Sequence, residues 1–402
     1  MKKHSTAKQS EHKLTKSVLW VLRERASAER LTIGLDLGDR MNHYCILNEQ
    51  GEIWIQDQLP ATRTGLNHLF EKLPRARVVM EVGTHSPWTS RHLAGLGHEV
   101  IVANSRKVSL ITESQRKNDR LDAEKLARLG RLDPKLLSPI RHRQEDVQRD
   151  LAEIRLREAL VHSRTMLVNS ARGMVKSFGY RLNSCDCDQV DTELAASLPA
   201  ELRKLVEPLL ATAAYTTLRI KAADQRIHEV AKRYPEIELL TVIYGVGELT
   251  ALAFVLTIED AERFGRSREV GPYLGMVPGQ AQSGDRDPQQ RITKEGDRMV
   301  RWLLVQSAHC ILKHGAPDSD LRRWGLAKIE QRDREQQPNR RGKNRKSKGK
   351  KRVLVAVARK LAVLMHRLWA NGEVYDPLYG AQQQAAQEAK QAAKKSAGKA
   401  AA

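Results

Sequence analysis

The feature that most constrains the fold of this chain is a series of short apolar runs between residues 31 and 102, separated by turn-forming residues. The first three runs have the composition and alternation of β-strands. They are Leu31–Leu37, His43–Leu47 and Glu52–Gln56. Helical stretches at Gly65–Leu73 and Pro87–Leu96 then alternate with strands at Arg77–Met80 and Glu99–Val102. The pattern therefore predicts a three-stranded meander followed by alternating helices and strands.

This order of elements is that of an RNase H-like α/β fold, which we assign to residues 31–142. Residues 143–236 are charged and carry apolar residues at helical spacing, with interruptions at Gly179–Asp188 and Pro199. They predict a helical or coiled-coil connector folded as a hairpin. Residues 237–379 predict a mainly α-helical C-terminal domain.

The two ends and one internal segment are too polar to pack. Residues 1–30 form a basic arm, and residues 380–402 form an Ala/Lys-rich tail that we expect to be disordered or weakly helical. The basic segment Arg340–Arg352 is too charged to pack and leads into an amphipathic helix, Val353–Trp369.

The charge of the chain indicates a polyanionic partner. Lysine and arginine number 69 against 48 acids, a formal net charge of +21, and nucleic acid is the partner that fits best. A membrane surface would also attract this charge, but the basic stretches carry few bulky apolar anchors. The candidate nucleic-acid contacts in the basic segment are Arg340, Arg341, Lys343, Arg345 and Lys346.

Neither a transmembrane run nor a signal peptide is evident, so the expected location is the cytoplasm. The 4 cysteines are scattered, and the spacing of Cys185 and Cys187 does not suit a zinc knuckle. Reduced, structurally minor thiols are expected.

Four acids predict a metal site. Asp36 shares a strand face with Gly34, which leaves space beside a carboxylate whose burial needs a compensating cation. Glu81 follows an apolar strand, and Asp119 and Asp122 are three residues apart, on one face of a helix. Phosphodiester chemistry assisted by Mg²⁺ or Mn²⁺ needs such converging oxygen ligands.

Each acid also has a simpler interpretation. Asp36 could end its strand facing water, and Glu81 could be a solvated surface acid. Asp119 and Asp122 could be acids favoured by the helix dipole, with Asn118 as the N-cap. The set is more specific than its members, because the four acids follow one another in the right order of elements.

A second candidate region is a polar, glycine-rich loop that carries Ser283 and is followed by Arg291, Lys294 and Arg298. A loop serine beside cations could attack a phosphate, which would keep the energy of the broken linkage in a phosphoserine bond. Composition alone favours a capping or phosphate-binding serine instead.

Upstream of this loop, Gly245 and Gly247 lie in a segment similar to a helix-hairpin-helix motif. Glycines there let backbone N–H groups approach a phosphate without reading base sequence. A glycine-rich turn between two helices is the alternative.

At these regions the chain resembles the bridge-RNA-guided insertion-sequence transposases, which are DEDD recombinases related to the Piv DNA invertases. The resemblance covers Leu31–Tyr379. It rests on Gly34-Leu35-Asp36, Met80-Glu81, Asp119-Arg120-Leu121-Asp122-Ala123, Leu274-Gly275-Met276-Val277-Pro278, Gln282-Ser283-Gly284 and Lys294-Glu295-Gly296-Asp297.

The resemblance implies a RuvC-like N-terminal domain, a coiled-coil connector and a C-terminal transposase domain. It implies that Asp36, Glu81, Asp119 and Asp122 are the metal ligands and that Ser283 is the nucleophile. It further implies a dimer or tetramer in which the acids of one subunit meet the serine of another, and a noncoding RNA that pairs with donor and target DNA. Gln282 departs from the family, whose members often carry small or hydroxyl residues beside the serine.

Two other functions remain open at the level of sequence. A nuclease of the Holliday-junction resolvase type would use the same acids with water as the nucleophile. A non-catalytic nucleic-acid-packaging protein would depend on the basic segment and tail alone. All three functions predict binding that weakens steeply with salt, so salt dependence does not separate them.

Overall fold

A computed structural model of the chain describes residues 30–104, 119–284, 286, 288, 290–335 and 343–383. Several predicted features lie outside the described residues, namely residues 1–29 of the basic arm, Asn118, Arg340, Arg341 and residues 384–402 of the tail. The chain divides into two compact units between Arg143 and Gln144.

The N-terminal unit is built on a five-stranded mixed sheet with the order β3-β2-β1-β4-β5. Its strands are β1 (Thr32–Asp36), β2 (Met41–Leu47), β3 (Ile53–Pro60), β4 (Arg77–Glu81) and β5 (Glu99–Ala103). The strands β1, β2 and β3 pair antiparallel, whereas β4 runs parallel to both β1 and β5. The predicted meander and the two later strands are therefore confirmed.

The third strand is longer than predicted. It continues from Gln56 to Pro60 because β2 begins two residues earlier than expected, at Met41, and pairs with it along its whole length. Leu59 is buried in this extension, so the alternation that defines the strand continues through Asp57 and Gln58.

In the described part of this unit, three α-helices cover the sheet, α1 (Arg63–Phe70), α2 (Ser86–Gly95) and α3 (Asp119–Leu132). One face of the sheet packs with α1 and α2, through residues such as Leu35, Met80, Leu66 and Leu93. The other face packs with α3, through Val79, Cys45, Leu126 and Ala127. The central strand β1 is thus covered on both faces.

Two glycines let α3 lie close to this sheet. A Cβ atom on Gly34 of β1 would lie 1.9 Å from the carbonyl oxygen of Ala123. A Cβ atom on Gly130 of α3 would lie 2.2 Å from Cγ2 of Val79. Protein interiors tolerate no such overlap, so a larger residue at either position would push the helix away. The sequence predicts that Gly34 leaves space beside Asp36. In the structure, the backbone of α3 fills this space.

The C-terminal unit begins with a hairpin of two long helices, α4 (Glu145–Ser177) and α5 (Ala200–Ala231). Pro199 stands directly before α5, where its fixed φ does not interrupt the helix. One end of the hairpin has its own apolar cluster, with Val168 and Leu210 among its members. Leu151 and Ile227, at the other end, belong to the main core of the unit.

Six further helices form the rest of this unit. They are α6 (Glu236–Thr241), α7 (Glu248–Ile258), α8 (Val270–Tyr273), α9 (Arg298–Ile311), α10 (Asp320–Glu335) and α11 (Lys343–Asn371). Every residue of α7 from Thr250 to Ile258 is buried, because α7 belongs to the same apolar core as α9 and α11. Within the described ranges, every helix is too short or too polar to span a lipid bilayer.

The start of α11 differs from the prediction. The basic segment was expected not to pack and the helix to begin at Val353, but α11 already begins at Lys343. Lys350, Lys351 and Arg352 are exposed on it, so these positions are helical without being packed. Lysine and arginine are good helix formers, and extending a helix that packing has already nucleated costs little.

Candidate metal centre and serine arm

The acids Asp36 and Glu81 end two neighbouring strands of the N-terminal sheet. β1 and β4 run parallel, and Leu35 pairs with Met80, so the next residues of both strands are Asp36 and Glu81. Side chains in register on parallel neighbours point to the same face. Both acids therefore stand at the same edge of the sheet, on the face that α3 covers.

The first turn of α3 brings Asp119 and Asp122 to this edge. The contact of Gly34 with α3 fixes the distance of the helix from β1. A hydrogen bond of 2.8 Å from Nε2 of Gln56 to the carbonyl oxygen of Arg120 fastens the start of the helix to β3. Acids in the first turn are further stabilised by the helix dipole.

Three side chains converge at this edge in a geometry that suits a cation. Asp36, His43 and Asp119 each place one oxygen or nitrogen atom within 4.8 Å of the other two. Nδ1 of His43 lies 3.7 Å from Oδ2 of Asp119. Two carboxylates and an imidazole are a donor set that divalent metals such as Mn²⁺ accept, and carboxylate oxygens are the preferred ligands of Mg²⁺.

The other two predicted ligands are near this group but not part of it. Oδ1 of Asp122 accepts a hydrogen bond of 3.2 Å from Nζ of Lys125. Glu81 stands beside Asp36 at the end of the next strand. Among the described residues, the structure thus brings together Asp36 and Asp119 of the predicted tetrad, and adds His43.

Sequence analysis did not assign a role to His43. The signal that could have found it is the register of the first hairpin, in which His43 pairs directly with Asp36. Residues opposite each other on antiparallel strands have side chains on the same face. Only the exact length of the turn between β1 and β2 fixes this pairing, and apolar periodicity does not define turn length to one residue.

Cys45, two residues further along β2, is not a ligand of this group. It packs under α3 against Ala123 and Ala127. Burial raises the pKa of the Cys45 thiol to about 11, with a smaller contribution from Glu124. A protonated thiol is a poor metal ligand at neutral pH, so the candidate donors at this edge are the two acids and the histidine.

Ser283 lies in the C-terminal unit on a hairpin-like loop whose described residues are 275–284, 286, 288 and 290–296, and which we call the serine arm. Its two legs are joined by hydrogen bonds from Gly279 N to Arg291 O at 2.9 Å and from Thr293 N to Val277 O at 2.9 Å. Ser283 and Arg286 exchange two backbone hydrogen bonds of 3.1 Å near the tip. Ser283 is exposed.

The base of the serine arm is held firmly. Gly275 and Gly296 have positive φ values, +65° and +74°. A Cβ atom on Gly275 would lie 2.2 Å from the carbonyl oxygen of Glu295, and one on Gly296 would lie 2.2 Å from the carbonyl oxygen of Tyr273 in α8. NH1 of Arg301, on α9, donates to the carbonyl oxygens of Leu274 at 3.1 Å and Glu295 at 2.5 Å. The arm is thus fixed where it leaves the core.

The predicted cations lie on the surface around this arm. Arg291, Lys294 and Arg298 are exposed. Arg286 was missed by sequence analysis, although it pairs with Ser283 and shares its side of the arm. Nothing in the sequence marks Arg286, because the pairing depends on the conformation of the turn.

The predicted hairpin with Gly245 and Gly247 connects α6 and α7. Gly245 has φ +88°, and a Cβ atom there would lie 3.0 Å from Cβ of Cys310 and from the carbonyl oxygen of Ser307, both on α9. Gly247 is extended and directly precedes α7. Packing alone therefore accounts for Gly245, while Gly247 stands where backbone N–H groups of a helix start are available.

The predicted nucleic-acid contacts Lys343, Arg345 and Lys346 lie in the first turns of α11.

Two family models match the chain. A model of the IS110-type DEDD transposase matches residues 33–179, and a model described as the transposase IS116/IS110/IS902 family matches residues 237–322. Together they cover more than half of the chain, and they include all four acids and Ser283.

Curated relatives agree with these models. The transposase for insertion sequence element IS1111A of Coxiella burnetii is 28% identical over 363 residues, which are 88% of this chain and 93% of the relative. The transposase for insertion sequence element IS1328 of Yersinia enterocolitica is 27% identical over 287 residues, 70% of this chain and 84% of the relative. The resemblance seen in the motifs is confirmed: the chain belongs to the IS110/IS116 family of DEDD transposases.

Proposed function

We propose that this transposase cuts and rejoins DNA with a divalent metal ion, Mg²⁺ or Mn²⁺, held by the acids of its N-terminal unit, and with Ser283 as the nucleophile. The observation that carries the proposal is the convergence of Asp36, His43 and Asp119 within 4.8 Å. The strand order supports an RNase H-like, RuvC-type assignment of this unit, because an antiparallel meander is followed by two parallel strands.

Glu81 and Asp122 complete the proposed tetrad. Asp122 lies one helical turn from Asp119 on the same face of α3, and Glu81 stands beside Asp36. The present partner of Asp122 is Lys125, a single positive charge. A divalent ion attracts a carboxylate more strongly than an ammonium group does. These acids would hold the ion, which when bound stabilises negative charge on the phosphate under attack.

The exposed position of Ser283 supports its role as nucleophile. Oγ of Ser283 would form a phosphoester bond to the scissile phosphorus while the bond from phosphorus to a deoxyribose oxygen breaks. The hydroxyl loses its proton on attack, and the released sugar oxygen takes up a proton. The reverse step, with a sugar hydroxyl of another strand, rejoins DNA without a cofactor. Arg286 would bring a cation to the same phosphate.

The partners proposed for this chain are donor DNA, target DNA and a noncoding guide RNA. The net charge of +21 supports nucleic-acid binding. We propose backbone contacts by the cations around the serine arm, by the helix start at Gly247 with Gly245 shaping its turn, and by the basic start of α11. We also propose a dimer or tetramer, in which the acids of one subunit meet the serine of another.

A structure-specific nuclease is the second candidate. The observation that favours it is that the metal-binding acids are assembled within the N-terminal unit alone, so water could attack the phosphate without Ser283. A nuclease of this kind would leave no covalent bond between protein and DNA.

One experiment separates the two. The full chain is incubated with DNA carrying the ends of its insertion sequence and with transcripts of the flanking noncoding DNA, and covalent protein–DNA adducts are trapped by denaturation. We expect the wild type to form adducts and Ser283→Ala to form none, with Ser267→Ala as the control. Cleavage by Ser283→Ala at the wild-type rate would contradict the serine mechanism and support the nuclease.

A further inference from the structure

We call the edge of the sheet where Asp36 and Glu81 end their strands, together with the first turn of α3, the acid edge. His43 stands at this edge, and the proposed tetrad does not use it. We propose that His43 is a direct ligand of the metal ion, through Nδ1, and that its imidazole makes the centre prefer Mn²⁺ to Mg²⁺. This inference rests on the proposed function in one respect, namely that Asp36 and Asp119 bind a divalent cation.

The position of His43 is fixed by the sheet. His43 pairs with Asp36 across the antiparallel ladder of β1 and β2, so both side chains lie on the face that α3 covers. The neighbours of His43 on β2, Asn42 and Tyr44, are buried, with 1% and 0% of their surfaces exposed. The strand therefore cannot rotate to turn His43 away from the two acids.

The distance between His43 and Asp119 fits two ligands of one ion better than it fits a direct bond. Nδ1 and Oδ2 are 3.7 Å apart, beyond the range of about 2.7–3.2 Å for a hydrogen bond. Two ligand atoms that each lie about 2.2 Å from one ion are about 3 Å apart at a right angle and about 4.4 Å apart when opposite. The observed separation falls inside this interval. All the donor atoms of the group lie within 4.8 Å of one another, so binding of one ion needs at most a slight contraction.

An ion pair between a protonated His43 and the acids is the competing explanation. Asp119 is well exposed, with 62% of its side-chain surface accessible. Exposed ion pairs contribute little to stability because water screens them. In an ion pair, a proton would lie between His43 and the acids, and the imidazole would make no bond to a metal. A ligand would instead present the lone pair of Nδ1 to the metal.

The preference for Mn²⁺ follows from the chemistry of the donors. Mg²⁺ is bound almost entirely by oxygen ligands and releases its water reluctantly. Transition metals accept imidazole nitrogen readily, and a nitrogen donor in an otherwise carboxylate site therefore favours Mn²⁺. The three converging residues supply two oxygen donors and one nitrogen donor from three separate elements, β1, β2 and α3.

The chain offers a matched control. Nε2 of His85 lies 3.7 Å from Oδ1 of Asp39, the same distance as in the pair of His43 and Asp119. Asp39 is 94% exposed at its side chain, and the pair lies outside the group of three converging donors. His85 therefore has the geometry of an ion pair without the geometry of a metal site.

The test is Mn²⁺ binding to the full chain, followed by electron paramagnetic resonance. Titration measures the affinity, and pulsed spectra report whether a nitrogen atom is coupled directly to the ion. We expect nitrogen coupling in the wild type and in His85→Gln. In His43→Gln we expect no coupling and a fall in Mn²⁺ affinity of about tenfold or more, since even an outer-shell partner is worth about that much. Affinity for Mg²⁺, measured by competition, should change much less.

Several outcomes would overturn the inference. If Mn²⁺ binds, is lost in Asp36→Asn, and shows no nitrogen coupling in the wild type, His43 is not a ligand and the proposed function still stands. If Mn²⁺ binding does not depend on Asp36, the metal centre itself is refuted. If His43→Gln does not fold, the wild-type spectrum alone decides, because it contains the nitrogen signal or lacks it.

Discussion

The acid edge and the serine arm are held in opposite ways. Asp36 ends β1, whose other residues are buried, and α3 lies so close to β1 that only glycine fits at position 34. Ser283 stands near the tip of an exposed loop that the core holds only at its base, through Gly275, Gly296 and Arg301. The acid edge is fixed by packing, whereas Ser283 is exposed on a loop.

This difference suggests a division of labour. A metal centre needs its ligands fixed before the ion arrives, which buried elements provide. A nucleophile that must reach DNA gains from exposure and from a loop whose origin is fixed. Changes at the acid edge should therefore alter metal binding and stability together, whereas changes in the serine arm should alter DNA chemistry alone.

The largest effect is expected for Asp36→Asn. Metal stabilisation of a phosphate contributes several kcal/mol, and each 1.36 kcal/mol changes the rate tenfold, so we expect DNA cleavage to fall about 1,000-fold or more. The measurement is adduct formation on insertion-sequence DNA at saturating metal. Asp39→Asn, at an acid with a 94% exposed side chain, is the control and should keep its activity. Equal activity of the two variants would show that the carboxylate of Asp36 does not hold a metal ion that DNA cleavage needs.

Gly34→Ala should lower the free energy of unfolding of the N-terminal unit by about 1–3 kcal/mol or more, because the added methyl group would overlap Ala123 O. The displaced α3 would carry Asp119 away from Asp36, so affinity for Mn²⁺ should fall too. Urea unfolding and metal titration measure both effects. Gly95→Ala is the control, since no atom lies within 4 Å of its added Cβ. A Gly34→Ala variant with wild-type metal affinity would show that α3 does not position Asp119.

Gly275→Ala should impair the serine arm without affecting the metal centre. The alanine would need a left-handed conformation, which costs roughly 1–2 kcal/mol, and its Cβ would overlap the backbone of Glu295. We expect adduct formation to fall about tenfold, which corresponds to 1.36 kcal/mol, while Mn²⁺ affinity stays unchanged. Gly315→Ala shares the positive φ but meets no atom within 4 Å. It should behave as wild type in the adduct assay, and a loss of metal binding in Gly275→Ala would contradict the division of labour.

The smallest expected effect is a change in the pH dependence of stability, caused by a buried histidine, His98, in the N-terminal unit. Nδ1 of His98 accepts a hydrogen bond from Ala76 N at 3.2 Å, and Nε2 lies 3.1 Å from the carbonyl oxygen of Phe70. Burial lowers the pKa of His98 below its ordinary value of 6.5, against the opposing effect of the bond to Phe70. Folding thus favours the neutral ring. The stabilisation that this ring contributes to the folded state is fully present above pH 6.5 and is lost as the pH falls below 6.5.

Thermal unfolding between about pH 7.5 and pH 5.5 measures this contribution. We expect a smaller loss of stability on acidification in His98→Asn than in the wild type. Some pH dependence should remain, because burial also lowers the pKa of His92 and His142 in the same unit. An unchanged pH dependence in His98→Asn would show that His98 does not stabilise the sheet as a neutral ring.

The sequence predicted the sheet more completely than the site. Short apolar runs and turn residues were enough to locate the five strands, since burial of one face imposes a period of two and burial of both faces gives a continuous apolar run. The end of β3 at Pro60 was missed, because a strand continues as long as its partner does, and pairing is a property of two segments. The start of α11 was missed for a similar reason, because charge predicts exposure and not the absence of a helix.

Within the site, the acids were easier to predict than the residues that pair with them across a turn. Asp36, Glu81 and the pair Asp119 and Asp122 were predicted from their places on strand ends and in a first helical turn, and of these the structure brings Asp36 and Asp119 into one group with His43. His43 and Arg286 depend on which residue pairs with which across a turn, and a shift of one residue would have placed another side chain there. The packing role of Gly34 appears only when α3 is in place.

Anomalous scattering from crystals of the full chain grown with Mn²⁺ tests the central claim most directly. The account predicts a strong manganese peak between the carboxylates of Asp36 and Asp119, and the peak should disappear in Asp36→Asn. A manganese ion bound elsewhere, with these two carboxylates separated and free of metal, would contradict it.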